Sequence, residues 1–208
     1  MILKRYLLEK DLNLLDNYNQ ILFYGENIGL KLELKDKLRS NNPKSSNLSL
    51  FQEDVIKNKD LLINEILNRS LFENEKIIFI DQANDKILDI LIEIKTFIKD
   101  IKIFIFAETL EKKSKLRKHF EKTENCAVIP CYKDTEITIK KIIVEKLRNY
   151  KGLTTEIVNQ LIQVSNLDRN KINNEIKKIE NCFIEKEITK PVLEKLLNIK
   201  SNDDFDEI

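Results

Sequence analysis

Through Tyr132, short unbroken apolar runs alternate with stretches of helical periodicity, the rhythm of a parallel sheet with helices packed on it. The predicted strands are Ile21–Tyr24, Leu48–Phe51, Lys76–Asp81, Ile101–Ala107 and Ala127–Pro130. Ile77-Ile78-Phe79-Ile80 and Ile103-Phe104-Ile105-Phe106 carry no polar alternation, as expected of strands covered on both faces. Between the strands, Asn84 can cap a helix whose apolar residues Ile87, Leu91, Ile94 and Ile98 step by four, three and four positions. Further helices are predicted from Glu53 to Asn68 and from Lys113 to Lys122, with an N-terminal helical stretch through Leu14 and Leu15.

After Tyr132 the strand signals almost stop. Ile139, Ile142, Ile143 and Leu147 form one helical stripe, Ile157, Leu161 and Val164 a second, and Ile172, Ile176 and Ile179 a third. A fourth joins Val192, Leu193, Leu196 and Leu197, with Pro191 tolerated in its first turn. Gly152 punctuates the first connection, and Asp168 is a candidate N-cap for the third helix. The pattern predicts an α/β domain over residues 1–132 and a small all-helical domain over 133–200, with an acidic segment at 201–208.

Hydrophobic residues make up 42% of the chain beside 34% charged, enough to bury a core and ordinary for a globular protein. Lys and Arg number 36 against 35 Asp and Glu, a net charge of +1, so any contact with nucleic acid must come from a local basic face. Cys126, Cys131 and Cys182 make no even disulfide framework and follow no secretory signal, which places the expected home in the cytoplasm. With His119 as the one histidine, the chain is short of the four or so ligands of a zinc site, and the cysteines are expected as small buried hydrophobes. No apolar run approaches the roughly 18 residues that span a bilayer.

A parallel sheet followed by a helical lid is the plan of many P-loop ATPases, so the first strand-to-helix turn tests for that chemistry. It reads Tyr24-Gly25-Glu26-Asn27-Ile28-Gly29-Leu30-Lys31-Leu32. A working G-x-x-x-x-G-K-[ST] loop needs glycines that aim N–H groups at phosphate, a lysine for its charge and a hydroxyl for magnesium. Gly25 and Lys31 fit that register. Leu30 replaces the second glycine, Leu32 replaces the hydroxyl, and Glu26 adds a negative charge at the mouth. Lys31 is then expected as a surface lysine on the first helix. The third strand ends Phe79-Ile80-Asp81-Gln82, where Gln82 cannot act as a general base and Asp81 is expected to cap the following turn. No other catalytic set is visible, and no cofactor or metal is expected. Nucleotide binding by a divergent ATPase at Gly25–Lys31 stays open as the alternative.

One apolar pair sits in an odd place. Ser70-Leu71-Phe72 lies between a predicted helix and a predicted strand and is followed by Glu73-Asn74-Glu75. Leu71 and Phe72 either end the amphipathic helix and cap the core, or stand on a loop as anchors for a partner's pocket.

In order and spacing the chain resembles the delta subunit of bacterial DNA polymerase III, the clamp-opening subunit of the clamp loader. The resemblance rests on Leu22-Phe23-Tyr24-Gly25-Glu26, on Ser70-Leu71-Phe72 before Lys76-Ile77-Ile78-Phe79-Ile80, and on Lys112-Lys113-Ser114-Lys115-Leu116. It continues through Gly152-Leu153-Thr154 and from Leu167-Asp168 to Asn174-Glu175-Ile176-Lys177-Lys178-Ile179. Ile28-Gly29 departs from it, where the family carries a bulkier aromatic. The resemblance implies an AAA+-like module with a helical lid that binds no ATP, and a non-catalytic part in DNA replication. It implies that Ser70, Leu71 and Phe72 bind the sliding clamp (the beta subunit), and that the ATPase subunits and delta-prime are further partners. It also implies that 201–208 starts a linker toward a collar domain this chain does not contain. The segment from Lys112 to Lys122, with Lys113, Lys115, Arg117, Lys118 and His119, is either a solvated helix face or a weak contact to DNA phosphates.

Overall fold

The computed structural model describes residues 1–43, 45–67, 76–98 and 101–198. The chain divides after Tyr132 into two compact units.

The first unit is a five-stranded parallel sheet in the order β2-β3-β4-β1-β5. Along the chain come α1 (Arg5–Leu8), β1 (Gln20–Tyr24), α2 (Ile28–Asn41), β2 (Ser46–Phe51), α3 (Gln52–Lys57), α4 (Lys59–Leu67) and β3 (Lys76–Ala83). They are followed by α5 (Leu88–Ile94), β4 (Ile101–Ala107), α6 (Lys115–Lys122) and β5 (Cys126–Pro130). Each central strand sends alternate side chains to opposite faces, and both faces are covered. Leu22, Ile78, Ile80, Ile103 and Ile105 pack with Leu62 and Ile66 of α4, Leu91 and Ile94 of α5, and Phe120 of α6. On the other face Phe23, Phe79, Phe104 and Phe106 pack under Leu30, Leu34 and Leu38 of α2. Phe23 stacks on Phe106 at 5.0 Å between ring centroids, and Phe79 on Phe104 at 5.6 Å. Such a pair contributes about 0.5–1.5 kcal/mol beyond its buried area.

All five predicted strands are present, several one or two residues longer, with β3 running on to Ala83. The predicted Glu53–Asn68 helix is two helices. Asn58 ends α3 with its backbone outside the helical region, at φ −137° and ψ 86°, and its side-chain oxygen accepts the Leu61 N–H at 3.3 Å, so it begins α4 while closing α3. Asn84 accepts the Lys86 N–H at 3.0 Å, but it opens a 3₁₀ turn over Asp85–Ile87 before α5, and Ile98 is buried beyond the helix end. The basic helix starts at Lys115 rather than Lys113. Ser114 caps it, and the Asp85 carboxylate takes the Lys115 and Leu116 N–H groups at 3.0 Å each. At the N-terminus only short pieces form, α1 and a 3₁₀ turn over Leu12–Leu15 that buries Leu15 and leaves Leu14 exposed.

The second unit holds α7 (Glu136–Lys146), α8 (Thr155–Ser165), α9 (Arg169–Cys182) and α10 (Lys190–Leu196). Ile139, Ile143, Ile157, Leu161, Ile176 and Leu193 meet in its core. The second and fourth stripes are shifted from expectation. Val158 and Ile162 are buried beside Leu161, while Val192 points outward. Asp168 caps α9 by accepting from the Asn170 and Lys171 N–H groups. Gly152 holds φ at +81°, and a Cβ there would lie 2.3 Å from the Ile188 carbonyl oxygen. Cys126 and Cys131 are buried, but Cys182 ends α9 on its exposed side, so it is not the buried hydrophobe expected.

Beneath these helices lies a charge pair with no sequence signature. The Arg169 guanidinium grips both oxygens of Asp134 at 2.9 Å, with both side chains almost wholly buried. Removing one partner leaves a charge stranded in low dielectric. Arg169→Met is expected to cost about 3–5 kcal/mol in urea unfolding, and adding Asp134→Leu should restore most of it. A single variant of wild-type stability would refute this account.

Candidate functional site

The turn after β1 is the place to look, because ligands of open parallel sheets bind at the C-terminal ends of the strands. Gly25 sits there at φ +132°, where an added Cβ would lie 2.3 Å from the Cys131 carbonyl oxygen, so the backbone passes too close to β5 for any side chain. Its N–H donates to Glu108 O at 3.1 Å, and the Asn27 N–H donates to Cys131 O at 3.0 Å. Three strand ends are thereby tied together.

In a phosphate loop the first N–H groups of the following helix point at the anion. Here those of Ile28, Leu30 and Lys31 are occupied within the chain. Ile28 N–H donates to Glu26 O, Leu30 N–H to the Asn27 side-chain oxygen at 2.9 Å, and Lys31 N–H to Asn27 O. Leu30 is buried wholly against the phenylalanine layer, and Leu32 lies on the open side of the helix with no atom that could hold magnesium.

Lys31 corrects the expectation of a surface lysine. Its half-buried ammonium donates to Gly25 O and to Ala107 O, both at 2.8 Å, bridging the ends of β1 and β4. Burial holds its pKa below the ordinary value, opposed by the nearby Cys131, Glu108 and Glu26. One turn on, Lys35 takes Asp81 at 2.5 Å and lies 5.3 Å over the Phe79 ring. Asp81 is therefore an ion-pair partner of α2, a role different from the predicted turn cap. Gln82 follows in a left-handed conformation at φ +58°, where β3 slips register between Ile80 and Ala83. Around these residues opens a cleft of about 590 Å³, with Phe51 from the end of β2 on one side and Glu108 and Thr109 on the other.

The basic segment splits by direction. Lys113, Lys115 and Lys118 are exposed, Lys113 with Glu111 at 3.0 Å. Arg117 is turned inward. Its Nε donates to Glu121 at 2.8 Å, another nitrogen to Leu110 O, and its guanidinium lies 4.9 Å over the Tyr24 ring. The hydrogen bond to Glu121 raises the Arg117 pKa. Burial, then the Tyr132 hydroxyl 3.2 Å away, raises that of Tyr24. His119 is half-buried, and its pKa is lowered by burial. Ser70, Leu71, Phe72 and the 201–208 segment lie outside the described residues. Among the described residues no group of three potential ligands could hold a metal ion, and no helix is long and apolar enough to cross a membrane.

With this geometry in view, solved structures give a clear likeness. The DNA clamp loader delta protein of Bacillus subtilis aligns over 95% of this chain with a TM-score of 0.62 and 17% identity. The fold is α/β and AAA+-like. The chain spans 63% of that protein's length. The RuvB Holliday junction branch migration motor of Thermotoga maritima shares the fold at a TM-score of 0.58 and 14% identity, over 93% of this chain and 68% of its own. No family model matches the sequence, and no curated protein sequence matches it.

The motif register had flagged Lys31. What it could not carry was the pair of carbonyls that hold the ammonium, or Lys35 reaching Asp81. Lys31→Met keeps the stem and removes both hydrogen bonds, and is expected to cost about 1–3 kcal/mol. The folded-state pKa is depressed, so between that lowered value and 10.5 the unfolded chain binds more protons than the native one. The wild type's advantage over Lys31→Met should therefore grow as pH rises through that window, read by urea unfolding. A difference that stays flat would show that Lys31 is solvated.

Proposed function

We propose that this chain is a delta-type clamp-loader subunit of a bacterial DNA polymerase III, which binds the sliding clamp and opens it for loading during replication in the cytoplasm. It would hydrolyse no nucleotide itself and would work beside ATPase subunits and delta-prime. The observation that carries the reading is the pairing of a delta-like fold with a phosphate-loop lysine already held by Gly25 O and Ala107 O. A body of this plan whose phosphate-loop lysine is occupied internally serves better as a scaffold for partner contacts than as a motor.

Leu71 and Phe72 are the proposed anchors, with Ser70 beside them. Burying each in an apolar pocket is worth roughly 1.5–3 kcal/mol before ordering costs, enough to favour a clamp conformation with one interface open. Lys113, Lys115 and Lys118 would add salt-sensitive contact to DNA phosphates without sequence preference, Arg117 being held by Glu121.

Leu71→Ala with Phe72→Ala should leave the melting temperature within about 2 °C and weaken binding to the cognate clamp by about 100-fold or more, measured on immobilised clamp. Equal affinity of wild type and variant would sink the proposal. A sharp fall in melting temperature would return both residues to the core.

The rival, a divergent ATPase using Gly25–Lys31, predicts saturable micromolar binding of a fluorescent ATP analogue with magnesium. We expect none.

A further inference from the structure

The cleft at the C-terminal ends of β1, β3 and β4 has a character of its own. Its rim is apolar: Ile28 is 62% exposed, Leu32 49% and Phe51 53%. Ile28 and Leu32 stand one turn apart on α2, on the side away from the buried Leu30 and Leu34. At about 590 Å³ the cleft is in the size range of ligand sites, large enough for two or three side chains.

Its charges are arranged against an anion. Lys31 is bound to two carbonyls and Lys35 to Asp81, so both cations lining the cleft are engaged. Glu26 and Glu108 are exposed at the mouth, and neither lies within ion-pair distance of a cation among the described residues. A triphosphate or an anionic lipid surface would meet two exposed carboxylates, and both lysines of the lining are already engaged. A guanidinium or ammonium would find them waiting, and the apolar residues beside it would find Ile28, Leu32 and Phe51.

We infer that this cleft receives a cationic, apolar segment of a partner protein, with Glu26 and Glu108 taking the charge and the Ile28–Leu32–Phe51 rim taking the hydrophobic neighbours. The occupant is a protein segment because the apolar side chains stand open at the rim, where a second surface must cover them, and do not enclose a small molecule. The inference does not rest on clamp binding, since it uses none of Ser70, Leu71 or Phe72.

The test uses the full chain and fluorescence anisotropy at low salt. The probe is a fluorescein-labelled pentapeptide of sequence Phe-Arg-Leu-Arg-Phe, compared with the same peptide carrying Glu for Arg. The arginine peptide should bind saturably and about tenfold or more tighter than the glutamate peptide. Glu26→Gln with Glu108→Gln should reduce that preference to within about threefold, and Leu32→Ser should weaken the arginine peptide about threefold or more while circular dichroism stays unchanged. The inference is overturned if the arginine peptide shows no saturable binding, if the glutamate peptide or a magnesium–ATP analogue competes equally well, or if either variant binds as wild type does.

Discussion

A single ammonium group organises the C-terminal end of the sheet. Lys31 spans the carbonyls of Gly25, just past the end of β1, and of Ala107, the last residue of β4, from the first turn of a helix that lies on the phenylalanine layer. Parallel strands leave their final carbonyls without partners at this edge, and an unmet buried acceptor costs about 1–3 kcal/mol. Lys31 meets two of them at once and fixes the rotation of α2. That rotation buries Leu30 and Leu34, turns Ile28 and Leu32 outward, and brings Lys35 to Asp81. The cleft, its charge and its apolar rim all follow from where this one helix is pinned.

Much of the fold was legible because buried parallel strands advertise themselves. Ile77-Ile78-Phe79-Ile80 and Ile103-Phe104-Ile105-Phe106 need both faces covered, and nothing else in the chain could use such runs. Helix ends were less legible. Asn58 is a tolerable helix residue by composition, and its power to cap α4 depends on a backbone break that periodicity does not register. The α8 stripe took Val164 for a core position, although Val158 and Ile162 are the more deeply buried.

The site was legible only where it is written in side chains. Leu32 in place of a hydroxyl spoke against magnesium from the outset. The true setting of Lys31 was silent because its acceptors are main-chain carbonyls, which every residue has. Asp134 and Arg169 belong to the same class, two ordinary charged residues whose meeting depends on how the helices of the second unit pack. An inward Arg117 among outward lysines is a third case, decided by the Tyr24 ring and Glu121.

The strand order has a consequence for how the chain comes to be folded. β1, the first strand made, pairs with neither β2 nor β3. Gln20 lies opposite Ile103 on one side and Cys126 on the other. During synthesis β1 leaves the ribosome with its partners still unmade, and an apolar five-residue strand must wait until β4 and then β5 emerge. Long-range pairings of this kind slow the folding of a sheet and lengthen the exposure of sticky edges. β1 is paired on both sides only once β5 has been made, and the Lys31 bridge to Ala107 must wait for β4.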